Sequence, residues 1–208
     1  TKLFGFLIDI PKILVYNNIK KKKKNTRENC LKMADKIIIL SGKQYSGKDT
    51  VAKILLQNLT DFKRIGLGDA IKIEYSEKTG IPFEEIEKNK HIYRQDLINL
   101  GNQRRSEDKD YWIKKVIQMP GNIIVPDVRV KRELEFFKEA DAYKIRVDAS
   151  RETRSARGQL VGETDVTEVD LDDVKEWDYV ISNNSTYENL QAESIKLAKE
   201  IKSFLAGK

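Results

Sequence analysis

Apolar residues in this chain follow two rhythms. Short unbroken runs occur at 36–41 (KIIILS), 122–126 (NIIVP), 142–147 (AYKIRV) and 178–182 (DYVIS), with a weaker one at 62–66. Runs of this length without alternation predict strands buried on both faces. Between them the spacing turns helical. Val51, Ile54, Leu55 and Leu59 mark one apolar face over 49–59, and 131–139 is rich in Glu, Leu and Phe. Residues 70–119 read as helical, punctuated by Gly80-Ile81-Pro82, by Gly101 and by the polar turn at 106–110. A short helix is expected from near Ser150, then a mobile polar loop at 158–170. Ser185 with Glu188 three positions on predicts a capping box opening a last helix to about Leu205. Strands alternating with helices imply a parallel sheet covered on both faces, an α/β class with three layers. The stretch 70–119 is a helical insertion between two strands.

Charge changes the picture at one end only. The chain has 208 residues and a net charge of +6. Residues 1–33 hold nine basic residues, Lys20–Lys24 among them, against Asp9 and Glu28, so 34–208 sum to −1. A domain that grips nucleic acid needs a basic face on the folded body, and none is indicated; a binder working through Lys20–Lys24 is the remaining form of that idea. Residues 1–33 read as a basic extension, disordered or non-native, with Met33 as the natural start. A targeting peptide or a basic tail for acidic surfaces are the alternatives. The longest apolar stretch, Leu3 to Tyr16, is short and broken by Asp9, Pro11 and Lys12, so no spanning helix is expected. Cys30 is the only cysteine and His91 the only histidine. That excludes a disulfide framework and a thiol or histidine-rich metal site in the body, and fits a cytoplasmic setting.

The chemistry begins where the first strand ends. Gly42-Lys43-Gln44-Tyr45-Ser46-Gly47-Lys48-Asp49-Thr50 fits GxxxxGK between a strand and a helix. Glycines there let the backbone curl so that several N–H groups point inward, the helix adds its positive end, and the lysine reaches the outer phosphates. Gly42, Lys43, Ser46, Gly47, Lys48, Asp49 and Thr50 are the expected nucleotide-binding set. Asp49 stands where a hydroxyl usually meets Mg²⁺. A carboxylate also serves, because Mg²⁺ prefers oxygen ligands and keeps several waters. At the end of the third strand, Asp127 suits a second metal position or a general base, and Arg129 suits a grip on the acceptor. Arg151, Arg154 and Arg157 share one helical face before the polar loop, the pattern of a phosphate-clamping lid at about 150–170. Lys72, Lys90, Arg94, Arg104 and Arg105 make the insertion basic, as an acceptor that already carries a phosphate requires. Tyr111 and Trp112 are expected in the core.

These motifs resemble the small P-loop kinases of the nucleoside-monophosphate-kinase superfamily, over roughly 36–206. "SGKxxSGKD" is shared with animal-type phosphomevalonate kinases and with phage-type deoxynucleoside monophosphate kinases. The first likeness runs on through "LGDAIKIEYSEKTGIPFEEI", "KHIYRQDLINLGNQRR", Asp127 and Arg129, Arg146, Arg154 and Arg157-Gly158, and "WDYVISNN". It implies the P-loop kinase fold, with a five-stranded parallel sheet, a helical acceptor-binding insertion and an arginine-bearing lid. It implies Lys43 and Lys48 on ATP phosphates, Lys72, Lys90, Arg94, Arg105 and Arg129 on the acceptor side, and Arg154 and Arg157 in the lid. Arg146 joins the substrate-binding set. Catalysis is expected from Lys48, Asp127, Arg129, Arg154 and Arg157, with Asp49 and Asp127 organising Mg²⁺. Gln44, Tyr45 and Val130 stand where the phosphomevalonate kinases carry basic residues. Thr167-Glu168, and Glu133 four residues past Arg129, look more like the nucleotide kinases. The expected activity is phosphoryl transfer from ATP to a small phosphomonoester, by a monomer or small oligomer. A (deoxy)nucleoside monophosphate acceptor is the alternative, and a non-catalytic nucleotide-binding protein a further one.

Overall fold

The computed structural model describes residues 34–206; Met33, Cys30 and the rest of the 1–33 extension lie outside the described residues. Five strands form one parallel sheet: β1 (Ile37–Ser41), β2 (Phe62–Arg64), β3 (Asn122–Val125), β4 (Tyr143–Asp148) and β5 (Tyr179–Ser182), in the order β2-β3-β1-β4-β5. β1 lies at the centre, with Ile38 opposite Ile124 on one side and Tyr143 on the other. Its unbroken apolar run is explained by two-sided burial. Ile37 and Ile39 face one core with Ile123, Val125, Trp112 and Phe137. Ile38 and Leu40 face the other with Ile124, Ile145, Ile181 and Leu197. Each such side chain contributes about 1.5–3 kcal/mol relative to exposure.

The second core is roofed by α1 (Lys48–Asn58) and by α9 (Tyr187–Ala206), which supplies Leu190, Leu197 and Ile201. The first is roofed by α2 (Leu67–Thr79), α4 (Lys90–Glu107) and α5 (Tyr111–Ile117) of the insertion, whose α3 (Phe83–Lys88) packs on α2 and α4, and by α6 (Lys131–Glu139). Trp112 is buried and its indole N–H donates to Gly101 O at 3.2 Å; Tyr111 packs edge-on against it at 4.9 Å. Both are core, as their apolar context predicts. The last two helices are α7 (Arg151–Arg157) and α8 (Val166–Val169). Among the described residues no helix is long and apolar enough to cross a membrane.

Three boundaries differ from the pattern reading. α2 begins at Leu67, because the Asp69 carboxylate accepts the Gly66 N–H at 2.9 Å and Asp127 accepts from Leu67 and Gly68. α9 begins one position later than a Ser185 cap implies: Thr186 Oγ1 accepts the Asn189 N–H at 3.4 Å. Residues 158–170 contain a helical turn, capped by Asp165 and fastened to other elements by side-chain bonds that no local pattern reveals.

The insertion is held together by a buried acid. Glu74 accepts from Arg104 at 2.8 Å, Tyr111 Oη at 2.7 Å and Lys115 at 2.8 Å, joining α2, α4 and α5. Burial alone raises its pKa, but the bonds from Lys115, Tyr111 and Arg104 outweigh that and hold it near 2, against an ordinary 4.5. A depressed carboxylate stabilises the fold fully above its unfolded value and ceases to do so as pH falls through the folded one. Glu74→Gln is therefore expected to lose about 2 kcal/mol at neutral pH, discounted because its partners' heads reach solvent. The variant's deficit should shrink as pH falls from 4.5 toward 2. Urea melts of both proteins across that range check it; a deficit that does not shrink refutes the assignment.

Candidate active site

The sheet order reverses at β1, whose neighbours β3 and β4 lie on opposite sides, and the crevice at the carboxyl ends of such strands is where α/β folds bind ligands. The loop leaving β1 supplies one wall. It turns through a Ser46 N–H to Lys43 O bond at 3.1 Å, with Tyr45 at φ 58° and Gly47 at φ 97°. A left-handed tyrosine is strained by roughly 1 kcal/mol or more, a cost that such loops carry where backbone must face a ligand. A Cβ on Gly47 would meet the Asn183 side-chain amide, which donates to Ser46 O at 2.8 Å. Only glycine fits both the angle and the space.

Lys48 opens α1 and is 7% exposed; its ammonium meets Asp49, which is exposed, at 2.9 Å. Ser46 Oγ is buried and unpartnered among the described residues. A buried cation with one surface partner, a helix N-terminus and an orphan hydroxyl on one curled loop form an anion cradle. Two arginines of α7 meet this loop. Arg157 donates to Tyr45 O at 3.2 Å and to Asn183 O at 2.9 Å. Arg154 is 6% exposed and holds Gln44 O at 3.4 Å and Glu163 at 3.8 Å, while its Nε is buried without a partner. Gly158 brings the chain against the Tyr45 ring, and a Cβ there would have to displace it.

On the other wall Asp127 caps α2 through Leu67 N–H at 2.9 Å and Gly68 N–H at 3.2 Å. Burial pushes its pKa up; the two amides pull it down and Asp69 pushes it further up. Glu133 is likewise raised by burial, against bonds from the Arg129 and Val130 amides, and feels both Asp127 and Arg105. Lys72 pairs with Asp69 at 2.7 Å and Glu87 at 2.5 Å.

A model of the phosphomevalonate kinase family matches residues 40–144. A phosphomevalonate kinase of Drosophila melanogaster is 31% identical over 180 residues, covering 78% of this chain and 94% of its own length. The chain belongs to the phosphomevalonate kinase family. It is thus a phosphotransferase. Among solved structures, shikimate kinase from Aquifex aeolicus vf5 is similar with a TM-score of 0.43 and 19% identity, over 81% of this chain and 98% of that one.

The residues this phosphomevalonate kinase homologue was expected to use are distributed unevenly. Lys48, Arg154 and Arg157 converge on the loop. Asp127 and Arg129 stand past the end of β3, where Glu133 accepts the Arg129 N–H and feels the charges of Asp127 and of Arg105 on α4. Lys43 is tied to Asp172 at 2.6 Å, a pair exposed enough to exchange for another anion. Lys90 pairs with Glu87 at 2.5 Å, and Arg94 lies exposed on α4; no contact joins either to Arg129 among the described residues. Arg146 is buried and spoken for by Asp148 at 2.7 Å, Ser41 Oγ at 3.3 Å, Asp172 at 3.5 Å and the Trp177 ring. In this arrangement it orders the floor beside the loop. Two residues that the resemblance touched without giving them a role also meet the loop. Asn183 locks the loop to α7; its signal was its place just past the β5 strand. Glu168 joins the loop to Arg129.

Proposed function

We propose that this chain transfers the γ-phosphoryl group of ATP to the phosphate of phosphomevalonate and forms a diphosphate. Residues 34–208 are one kinase domain, with 70–119 as its acceptor-binding insertion and 150–170 as its lid. The observation that carries this reading is the under-paired buried Arg154 facing the same loop as the buried Lys48. Two such cations around a curled backbone suit a transferring phosphoryl group, whose charge is stabilised mainly by position and electrostatics. The donor set fits a nucleotide: an orphan Ser46 hydroxyl, the buried Lys48 ammonium and a helix N-terminus. It fits Mg²⁺ held largely by phosphates and water. Among the described residues there is no cluster of three or more metal-ligating side chains, and Asp49 offers the exposed carboxylate nearest Lys48. When bound with the nucleotide, Mg²⁺ supplies charge neutralisation across its phosphates. Lys48 and Arg154 then hold the transferring end, Arg157 keeps the loop in shape, and Arg129 presents the acceptor. Asp127 keeps α2 and the acceptor wall in register. Both carboxylate oxygens already accept amide protons, so it acts on a metal or acceptor proton only through its remaining lone pairs.

Coupled-assay ADP release by the full chain, with ATP and Mg²⁺, tests the acceptor. Turnover with phosphomevalonate and none with nucleoside or deoxynucleoside monophosphates is the expected result. Turnover with a nucleotide alone would move the acceptor to that class and make Gln44, Tyr45 and Val130 the informative residues.

A further inference from the structure

The far end of the 150–170 segment reaches back across the site through one carboxylate. Glu168 is 8% exposed, on α8. Its Oε2 accepts the Gln44 N–H of the loop at 2.9 Å, and its Oε1 accepts from Arg129 Nη1 at 2.6 Å. The neighbouring Gln44 side chain fastens the same segment, donating to Val161 O at 2.5 Å and accepting the Val161 N–H at 3.2 Å. Glu168 thus spans the nucleotide loop and the acceptor-side arginine, at the rim of a small cleft that Gly42, Lys43, Arg129 and Arg146 also line.

The contact with Arg129 is one-cornered. A guanidinium offers five N–H donors in a fixed plane, and only Nη1 is taken; among the described residues Nε and Nη2 have no side-chain or backbone partner. The side chain keeps 25% of its surface open. A carboxylate that claimed both edges would block the arginine. One that claims a single corner fixes the plane and leaves the other edge toward the cleft for an anion.

Resting on the kinase reading above, we infer that Glu168 is a positioning residue for the transfer. It orients Arg129 and couples that orientation to the loop through the Gln44 N–H, so the acceptor's phosphate meets a preset guanidinium when the 150–170 segment is seated. Sub-ångström placement of a charged clamp governs rate more than affinity.

The test is a double-mutant cycle on the full chain, read as ADP release with phosphomevalonate and ATP each varied at saturation of the other. Glu168→Gln keeps size and polarity. It is expected to lower kcat roughly 10- to 100-fold, with the ATP KM moved less than about threefold and the melting temperature nearly unchanged. Glu168→Asp recovers part of the loss. In an Arg129→Ala background, Glu168→Gln is expected to cost almost nothing more, because its effect runs through that arginine. The same fold-loss in both backgrounds overturns the inference and makes Glu168 a structural strut. A fall in acceptor KM with kcat intact also overturns it, since Glu168 then competes with substrate. If the wild type turns over only a nucleoside monophosphate, the acceptor reading fails alone and the cycle is run on that acceptor. If no monophosphate is turned over, both fall.

Discussion

Lys48→Ala is expected to abolish turnover, by about 10³-fold or more in kcat, and to leave the protein folded. The loss corresponds to roughly 4 kcal/mol of transition-state stabilisation. Lys48 is 7% exposed at the first position of α1. Its charge acts in surroundings that water screens poorly, so the remaining loop amides do not replace it. The fold survives because the one acid it meets, Asp49, has a side chain that is 69% exposed. Truncating the lysine leaves that carboxylate in water and creates no buried unpaired charge, the event that makes broken ion pairs costly. Steady-state kinetics with a thermal melt check both halves. Retention of more than a tenth of wild-type kcat would remove Lys48 from the chemistry. A large drop in melting temperature would mean that the lysine supports the loop rather than the reaction.

How much of this was legible in the chain follows from the range of each interaction. The strands were readable because two-sided burial leaves a local mark: Ile37 to Leu40 alternate between two cores, yet all four are apolar. The loop was readable because its backbone demands glycine at Gly47 and its chemistry demands lysine at Lys48. Arg154 and Arg157 were readable as a helical face. What pattern could not supply was the pairing of charges across long separations. Glu74 joins Arg104 and Lys115, 30 and 41 residues away. Glu168 meets Gln44 and Arg129 at separations of 124 and 39. A run such as "TDVTEVDLDD" carries the composition of a solvated loop. Its acids are nonetheless committed: Glu168 to Arg129, Asp170 to the Lys131 N–H, Asp172 to Lys43. Arg146 was named by the resemblance alone; it lines the cleft beside the loop, where Asp148, Ser41 and Asp172 hold it.

Arg154→Ala is expected to cost about 10³-fold in kcat with little change in stability, and Arg154→Lys to restore only a small part. The two α7 arginines are built differently. Arg157 is consumed by loop carbonyls and Asn183, so its removal slackens the loop and should appear chiefly as a raised KM for ATP. Arg154 is more deeply buried yet poorly paired: one long bond to Gln44 O, a 3.8 Å approach to Glu163, and an Nε with nothing to donate to. Buried donors are rarely left so, and a guanidinium in that condition is set for an anion that arrives with substrate. Arginines in such positions contribute roughly 10³–10⁵ to phosphoryl transfer. Lysine keeps the charge but not the planar fork. Because Arg154 now holds few native contacts, the truncated protein should melt close to wild type. Comparing kcat and KM for Arg154→Ala and Arg157→Ala side by side decides it. If Arg154→Ala changes only the KM for ATP, the lid works as a brace alone and the charge stabilisation belongs to Lys48 and Arg129.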